Sequence, residues 1–195
     1  MLALAAAFGL SSTWWLHQTP TQLALTAQQG LQASQASPQL KAAGNTQAAG
    51  VSISTGALMA ISLPGPDGKP HTLAEWQGRP LVINFWATWC DPCRAELPLL
   101  NAAAQNPALK GATVLGIALD EGKAVQAFLG SNPMSFPVLI DANSVGEGLA
   151  GRLGDSTGAL PFTAILDRSG VVVETRLGPW KNGELEARLT QLTGS

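Results

Sequence analysis

The chain has 195 residues, a formal net charge of -2, and 46% hydrophobic against 12% charged residues. That length suits one domain with appendages and a real core, and the near-neutral charge points to no nucleic-acid partner. Two cysteines, at positions 90 and 93, exclude a multi-disulfide scaffold and read instead as a redox or metal signature.

Residues 1–18 are apolar and rich in small residues, with Trp14 and Trp15 near the end. The stretch is shorter than the ~20 residues that span a bilayer and lacks the positive start of a signal peptide. It reads as an export signal or membrane anchor, its paired tryptophans suiting a membrane interface; the alternative is a buried or cytosolic helix. Residues 19–55 hold no Asp or Glu and a single basic residue, Lys41. Their Gln, Ala, Ser, Thr and Gly cannot build a core, so they read as a flexible polar tether. Residues 56–195 form the folded domain.

The domain opens with a hairpin, residues 58–63 and 71–73 around a Pro- and Gly-rich turn. Thr72 is placed to cap a short helical turn through Glu75 and Trp76. Residues 81–86, Leu-Val-Ile-Asn-Phe-Trp, form an apolar run expected of a strand buried on both faces. A helix then begins at the cysteines, with Pro92 suited to its first turn. Leu97, Leu100 and Ala104 share one face, and Pro98 is expected to interrupt and kink it. Further strands are expected at 112–119, 136–140, 160–166 and 171–177, the last two joined by the turn Asp167-Arg168-Ser169-Gly170. Helices are expected at 121–129 (apolar at Val125, Phe128 and Leu129), 145–153, and 183–192 (apolar at Leu185, Leu189 and Leu192). The order gives an α/β layered sheet of mixed strand directions.

A strand that delivers two cysteines to a helix N-terminus favours thiolate chemistry, because unpaired N–H groups and the helix dipole stabilise the anion. An inert disulfide is the weaker reading, since a four-residue loop closes little unfolded-state entropy. A zinc site would need further ligands, and the only histidines are His17 and His71. Asp91, beside the dithiol, is expected to raise the thiol pKa by like-charge repulsion and to favour a reductant over a strong oxidant.

The run Phe85-Trp86-Ala87-Thr88-Trp89-Cys90-x-Pro-Cys93, with Glu96-Leu97-Pro98, Leu160-Pro161-x-Thr163 and Asp167-x-x-Gly170, resembles the TlpA/ResA branch of the thioredoxin family, which includes the DsbE/CcmG proteins. The resemblance implies a thioredoxin-like fold, a central mixed β-sheet flanked by helices, with an N-terminal β-hairpin and a central insertion. It implies that Cys90 is the nucleophile and Cys93 the resolving thiol, paired as a redox disulfide. Glu96 lies three residues after Cys93 and so shares its face; the resemblance gives it a part in proton handling, the alternative being a solvated helix-face carboxylate. Thioredoxins proper carry an aspartate on the preceding strand, where this chain has Asn84. Pro161 takes the place of the family's cis-proline, which leaves Leu160 to pair with an extended substrate. Trp89 would shape the substrate surface, and Trp86 reads as core.

The implied activity is thiol–disulfide oxidoreduction, as a membrane-associated reductant of disulfides in exported clients. The implied clients are apocytochrome c or copper-site assembly proteins, and the implied electron donor is a membrane thiol carrier of the CcdA/DsbD type. The protein would be a monomer without cofactor or metal, periplasmic or on the outer face of the cytoplasmic membrane, anchored by its N-terminus or secreted. Two alternatives stand beside it. A thiol peroxidase of the redoxin/AhpC-TSA type needs a proline where Phe85 stands. A copper-binding chaperone would resemble Cys-x-x-x-Cys with a later histidine, which this chain lacks.

Overall fold

The structure is a computed structural model of the chain, describing residues 51, 53–107, 111–142 and 148–193, all within the unit Gly44–Ser195. The expected signal or anchor, nearly all of the expected tether and the start of the expected helix at 145–153 lie outside the described residues. Among the described residues no helix is long and apolar enough to cross a membrane.

The first element is not a strand. Residues 55–59 form a short helix α1 (Thr55–Met59), capped by Ser54, whose hydroxyl accepts from the Ala57 N–H at 3.4 Å. A short apolar run does not distinguish a strand from a buried helical turn; here the cap and the burial of Leu58 and Met59 decide for the helix. The hairpin follows as β1 (Ser62–Pro64) antiparallel to β2 (Pro70–Thr72). A 3-10 turn (Leu73–Trp76) comes next, and Glu75 accepts from the Thr72 N–H at 2.8 Å.

Five further strands form the main sheet: β3 (Leu81–Trp86), β4 (Thr113–Ala118), β5 (Val138–Ile140), β6 (Phe162–Leu166) and β7 (Val172–Leu177). Their order is β5-β4-β3-β6-β7, with β3, β4 and β5 parallel and β6 and β7 antiparallel. Helices α2 (Asp91–Ala104), α3 (Gly122–Ser131), α4 (Leu149–Arg152) and α5 (Glu184–Thr193) connect and cover it. The central insertion is the stretch of α3, β5 and α4 between β4 and β6, which supplies an edge strand. Pro98 lies inside helix α2, which runs on to Ala104. Burial of Leu97, Leu100 and Ala103 along one side holds the helix across the missing N–H.

Strand β3 is fully buried because the sheet is covered on both faces. Val82 and Trp86 enter one cluster with Cys93, Leu97, Leu100 and Val125, joined by Leu185 and Leu189 of α5. Leu81, Ile83 and Phe85 enter the other, with Leu115, Ile117, Leu153 and Leu58. Ile53 is already buried in that second cluster. The β6–β7 turn closes on α1: a Cβ on Gly170, whose φ is +83°, would lie 2.9 Å from the Thr55 side chain. Gly170 therefore has both a conformational and a steric reason to be glycine.

Candidate active site

Cys90 is the N-cap of α2, and Pro92 sits in its first turn. The Sγ atoms of Cys90 and Cys93 are bonded, with their Cα atoms 5.3 Å apart. Cys90 Sγ also accepts from the Cys93 N–H at 3.3 Å, so a helix-terminal donor already points at the sulfur that would carry charge on reduction. The cysteines are 5% and 1% exposed. Cys90 is the more open of the two, but it is more enclosed than a helix-start position predicts, because the first turn packs into the cluster that holds Ala87 and Trp180.

The loop from β3 to the disulfide is held from the neighbouring strand. Asp120, just after β4, accepts from the Thr88 N–H at 3.1 Å and from the Thr88 hydroxyl, while its other oxygen accepts from the Glu121 N–H at 2.8 Å. Asp91 is exposed and pairs with Arg94 at 3.2 Å. Trp89 is 68% exposed, whereas Trp86 is fully buried.

A buried polar group lies on the α2 face of the sheet. Alternation along β3 puts Asn84 on the same face as Val82 and Trp86, and strand pairing aligns Gly116, Asn84, Thr163 and Arg176 in one row across β4, β3, β6 and β7. Gly116 makes room for the rings packed on that row, since a Cβ there would meet Trp86 Nε1 at 3.0 Å and the Phe136 ring at 3.1 Å. Glu96 reaches down onto the row from α2 and is 3% exposed, which rules out the solvated helix-face carboxylate. Its Oε2 accepts from Asn84 Nδ2 at 3.2 Å and its Oε1 from the Trp180 main-chain N–H at 2.6 Å. Asn84 Nδ2 and Trp180 Nε1 both donate to Thr163 Oγ1, at 3.1 and 3.2 Å. Burial pushes the Glu96 carboxyl above its ordinary value, although the Trp180 N–H, the Asn84 amide and the Arg176 charge all pull it down.

The Leu160–Pro161 bond is cis, as the resemblance implies. Asp155, buried ahead of it, has one oxygen accepting from the Thr157 N–H (3.0 Å), the Thr157 hydroxyl (2.9 Å) and the Gly158 N–H (2.9 Å). On the other side, the Gly178 N–H donates to Pro161 O at 2.8 Å. Leu160 is partly buried and packs against both clusters. His71 is bonded to Glu75 at 2.9 Å in the hairpin.

Sequence reasoning picked out Cys90, Cys93, Glu96, Leu160, Pro161 and Trp89, and named Asn84 and Thr163 in passing. It missed Asp120, Asp155, Arg176 and Trp180. Asp120 and Asp155 stand among turn residues, and Trp180 in a Gly-Pro-Trp loop, where no periodicity or spacing marks them.

A dithiol that can form and break a disulfide at a helix N-terminus, on the central strand of a thioredoxin-like sheet, defines a thiol–disulfide oxidoreductase. Comparison with known proteins agrees. The profile of the Redoxin family matches residues 35–191, and the chain belongs to that family. The thiol-disulfide oxidoreductase ResA of Bacillus thuringiensis (strain Al Hakam) is 34% identical over 128 residues, 65% of this chain and 71% of the relative. A Chlorobium tepidum protein assigned as a thiol:disulfide interchange protein DsbE superposes with a TM-score of 0.57 at 29% identity, over 69% of this chain and 91% of that one. The pneumococcal exposed lipoprotein thioredoxin Etrx1 of Streptococcus pneumoniae strain TIGR4 gives 0.53 at 26% identity, over 68% and 98%.

Proposed function

We propose that the protein is an extracytoplasmic, membrane-associated reductant of disulfides in exported clients. The observation that carries this reading is the Cys90–Cys93 disulfide at the N-cap of α2, the helix on which the buried Glu96 shares the face of Cys93. The uncharged N-terminal segment supports delivery outside the cytosol, as does similarity to an exposed lipoprotein thioredoxin and to a DsbE-type protein.

In the reduced protein the Cys90 thiolate attacks one sulfur of a client disulfide. The client S–S bond breaks, a Cys90–client bond forms, and the departing client thiolate takes a proton. The Cys93 thiolate then attacks Cys90 Sγ, re-forming the internal disulfide and releasing the second client thiol. Two electrons and two protons pass to the client. Glu96, on the face of α2 that carries Cys93 and with its proton affinity raised by burial, supplies and takes up the proton of the Cys93 step. Leu160 and Trp89 border the approach to Cys90 and receive the client chain. Restoring the dithiol outside the cytosol requires a membrane thiol carrier of the CcdA/DsbD type.

A Cys93→Ser variant cannot resolve the mixed disulfide and should hold its clients on Cys90. Recovery of apocytochrome c assigns the protein to cytochrome maturation, and recovery of a copper-site assembly protein assigns it to oxidase assembly. An empty trap in a cell expressing the variant overturns the reductase reading.

A further inference from the structure

We propose that Arg176 is a positioning residue for Glu96: stacked on the Trp180 indole, it holds residues 178–180 so that the Trp180 main-chain N–H stays on the buried carboxylate. Its consequence for exchange rests on the proposed proton-carrying role of Glu96; the positioning itself does not.

Arg176 is the β7 member of the row that contains Asn84 and Thr163, so its side chain starts on the same face of the sheet as Glu96. Its guanidinium carbon lies 4.5 Å from the Trp180 ring centroid, a cation–π stack. One Nη donates to Pro179 O at 3.2 Å, and the same nitrogen pairs with Glu184 of α5 at 3.0 Å. Side chain, loop carbonyl and helix are thus tied at one point. Trp180 in turn sends its main-chain N–H to Glu96 Oε1 and its indole N–H to Thr163 Oγ1. The loop that carries it comes after β7; its start is tied by the Gly178 N–H to Pro161 O at 2.8 Å, and Gly178, with φ +91°, turns the chain there. Arg176 is the clamp on that loop, and its planar fork is what lysine cannot copy.

Among the described residues, the groups that face Glu96 are the Asn84 amide from β3, the Trp180 N–H from the loop, and the Arg176 charge from β7. Glu184 of α5 faces Arg176. On α2 itself Arg94 pairs with the exposed Asp91 at 3.2 Å, and Cys93, three residues before Glu96, shares its face and titrates once reduced. Arg176 therefore favours the ionised form of Glu96 twice, by aiming a donor at it and by its own charge.

The test follows the Glu96 side-chain carboxyl directly, by carbon NMR titration of the oxidised full chain, together with the Trp180 amide proton shift. In Arg176→Met, which keeps an unbranched stem over the indole, the Glu96 midpoint should move up and the Trp180 amide should lose its downfield position. Arg176→Lys should recover only part of both changes. An unmoved midpoint in Arg176→Met overturns the proposal. Full recovery in Arg176→Lys also overturns it as a positioning role, leaving only the charge. Should Arg176→Met fail to fold, Glu184→Gln, which frees one anchor, should move both signals the same way by a smaller amount, and no movement there counts against the clamp. The pH profile of client-disulfide reduction is read alongside. If the Glu96 midpoint moves and the profile does not, the clamp stands and the proton-carrying role of Glu96 falls.

Discussion

The two faces of the central sheet are made by alternate residues of the same strands, yet they carry different burdens. On the α1 and α4 face, Leu81, Ile83, Phe85, Leu115, Ile117, Ala164 and Leu166 are buried side by side, and the Phe85 and Phe162 rings lie 5.8 Å apart. On the α2 face the same strands place Asn84 and Thr163 beneath Glu96, within a shell of Trp86, Leu97, Leu100 and Trp180. The first face contributes stability by removing apolar surface from water. The second gives up some of that contribution to keep a titratable group dry on the helix that carries the dithiol, and that burial raises its proton affinity.

Perturbing each face in turn sharpens the contrast. The largest effect is expected at the dithiol: Cys90→Ser should reduce client-disulfide reduction to the uncatalysed background in an insulin-reduction assay, while urea denaturation stays cooperative. On the opposite face Phe85→Ala should cost about 3–5 kcal/mol in urea denaturation and leave the Glu96 titration where it is. A shift of that titration would mean that the faces are not independent.

Glu96→Gln probes the polar face by pH. The folded protein holds the Glu96 proton more tightly than the unfolded chain does, because burial raises its pKa. Its favourable contribution is therefore complete below the ordinary carboxyl range and is lost as pH rises through the folded value. Urea midpoints measured from acid to neutral pH should fall along that window in the wild type relative to Glu96→Gln. A difference between the two that does not vary with pH would contradict the assigned direction.

Asp155→Ala should destabilise by about 1–3 kcal/mol, since it strands donors now satisfied by one buried oxygen. Smallest of all, Asp91→Ala removes an exposed pair with Arg94 and should change stability by less than about 1 kcal/mol.

Much of the scaffold was legible because its signals are local. The apolar run of β3, Pro92 in the first turn of α2, the Leu185, Leu189 and Leu192 spacing of α5 and the turn at residues 167–170 each depend on neighbours a few positions away. Residues 58 and 59 were misread because a short apolar run fits either a strand or a helical turn, and only the Ser54 cap and the packing over them decide. The run of α2 past Pro98 was legible as well, because the apolar spacing of Leu97 and Leu100 continues across it.

The sequence by itself determined the fold class, the dithiol at a helix N-terminus and the presence of a carboxylate one turn further on. Only the tertiary structure decided what surrounds that carboxylate. The Trp180 N–H comes to Glu96 from 84 positions away, and Thr163 meets Asn84 across 79. Such contacts follow from strand order and register, which the pairing of whole strands settles and no single segment encodes. The disulfide belongs to a local motif, while the environment that raises the proton affinity of Glu96 belongs to the sheet.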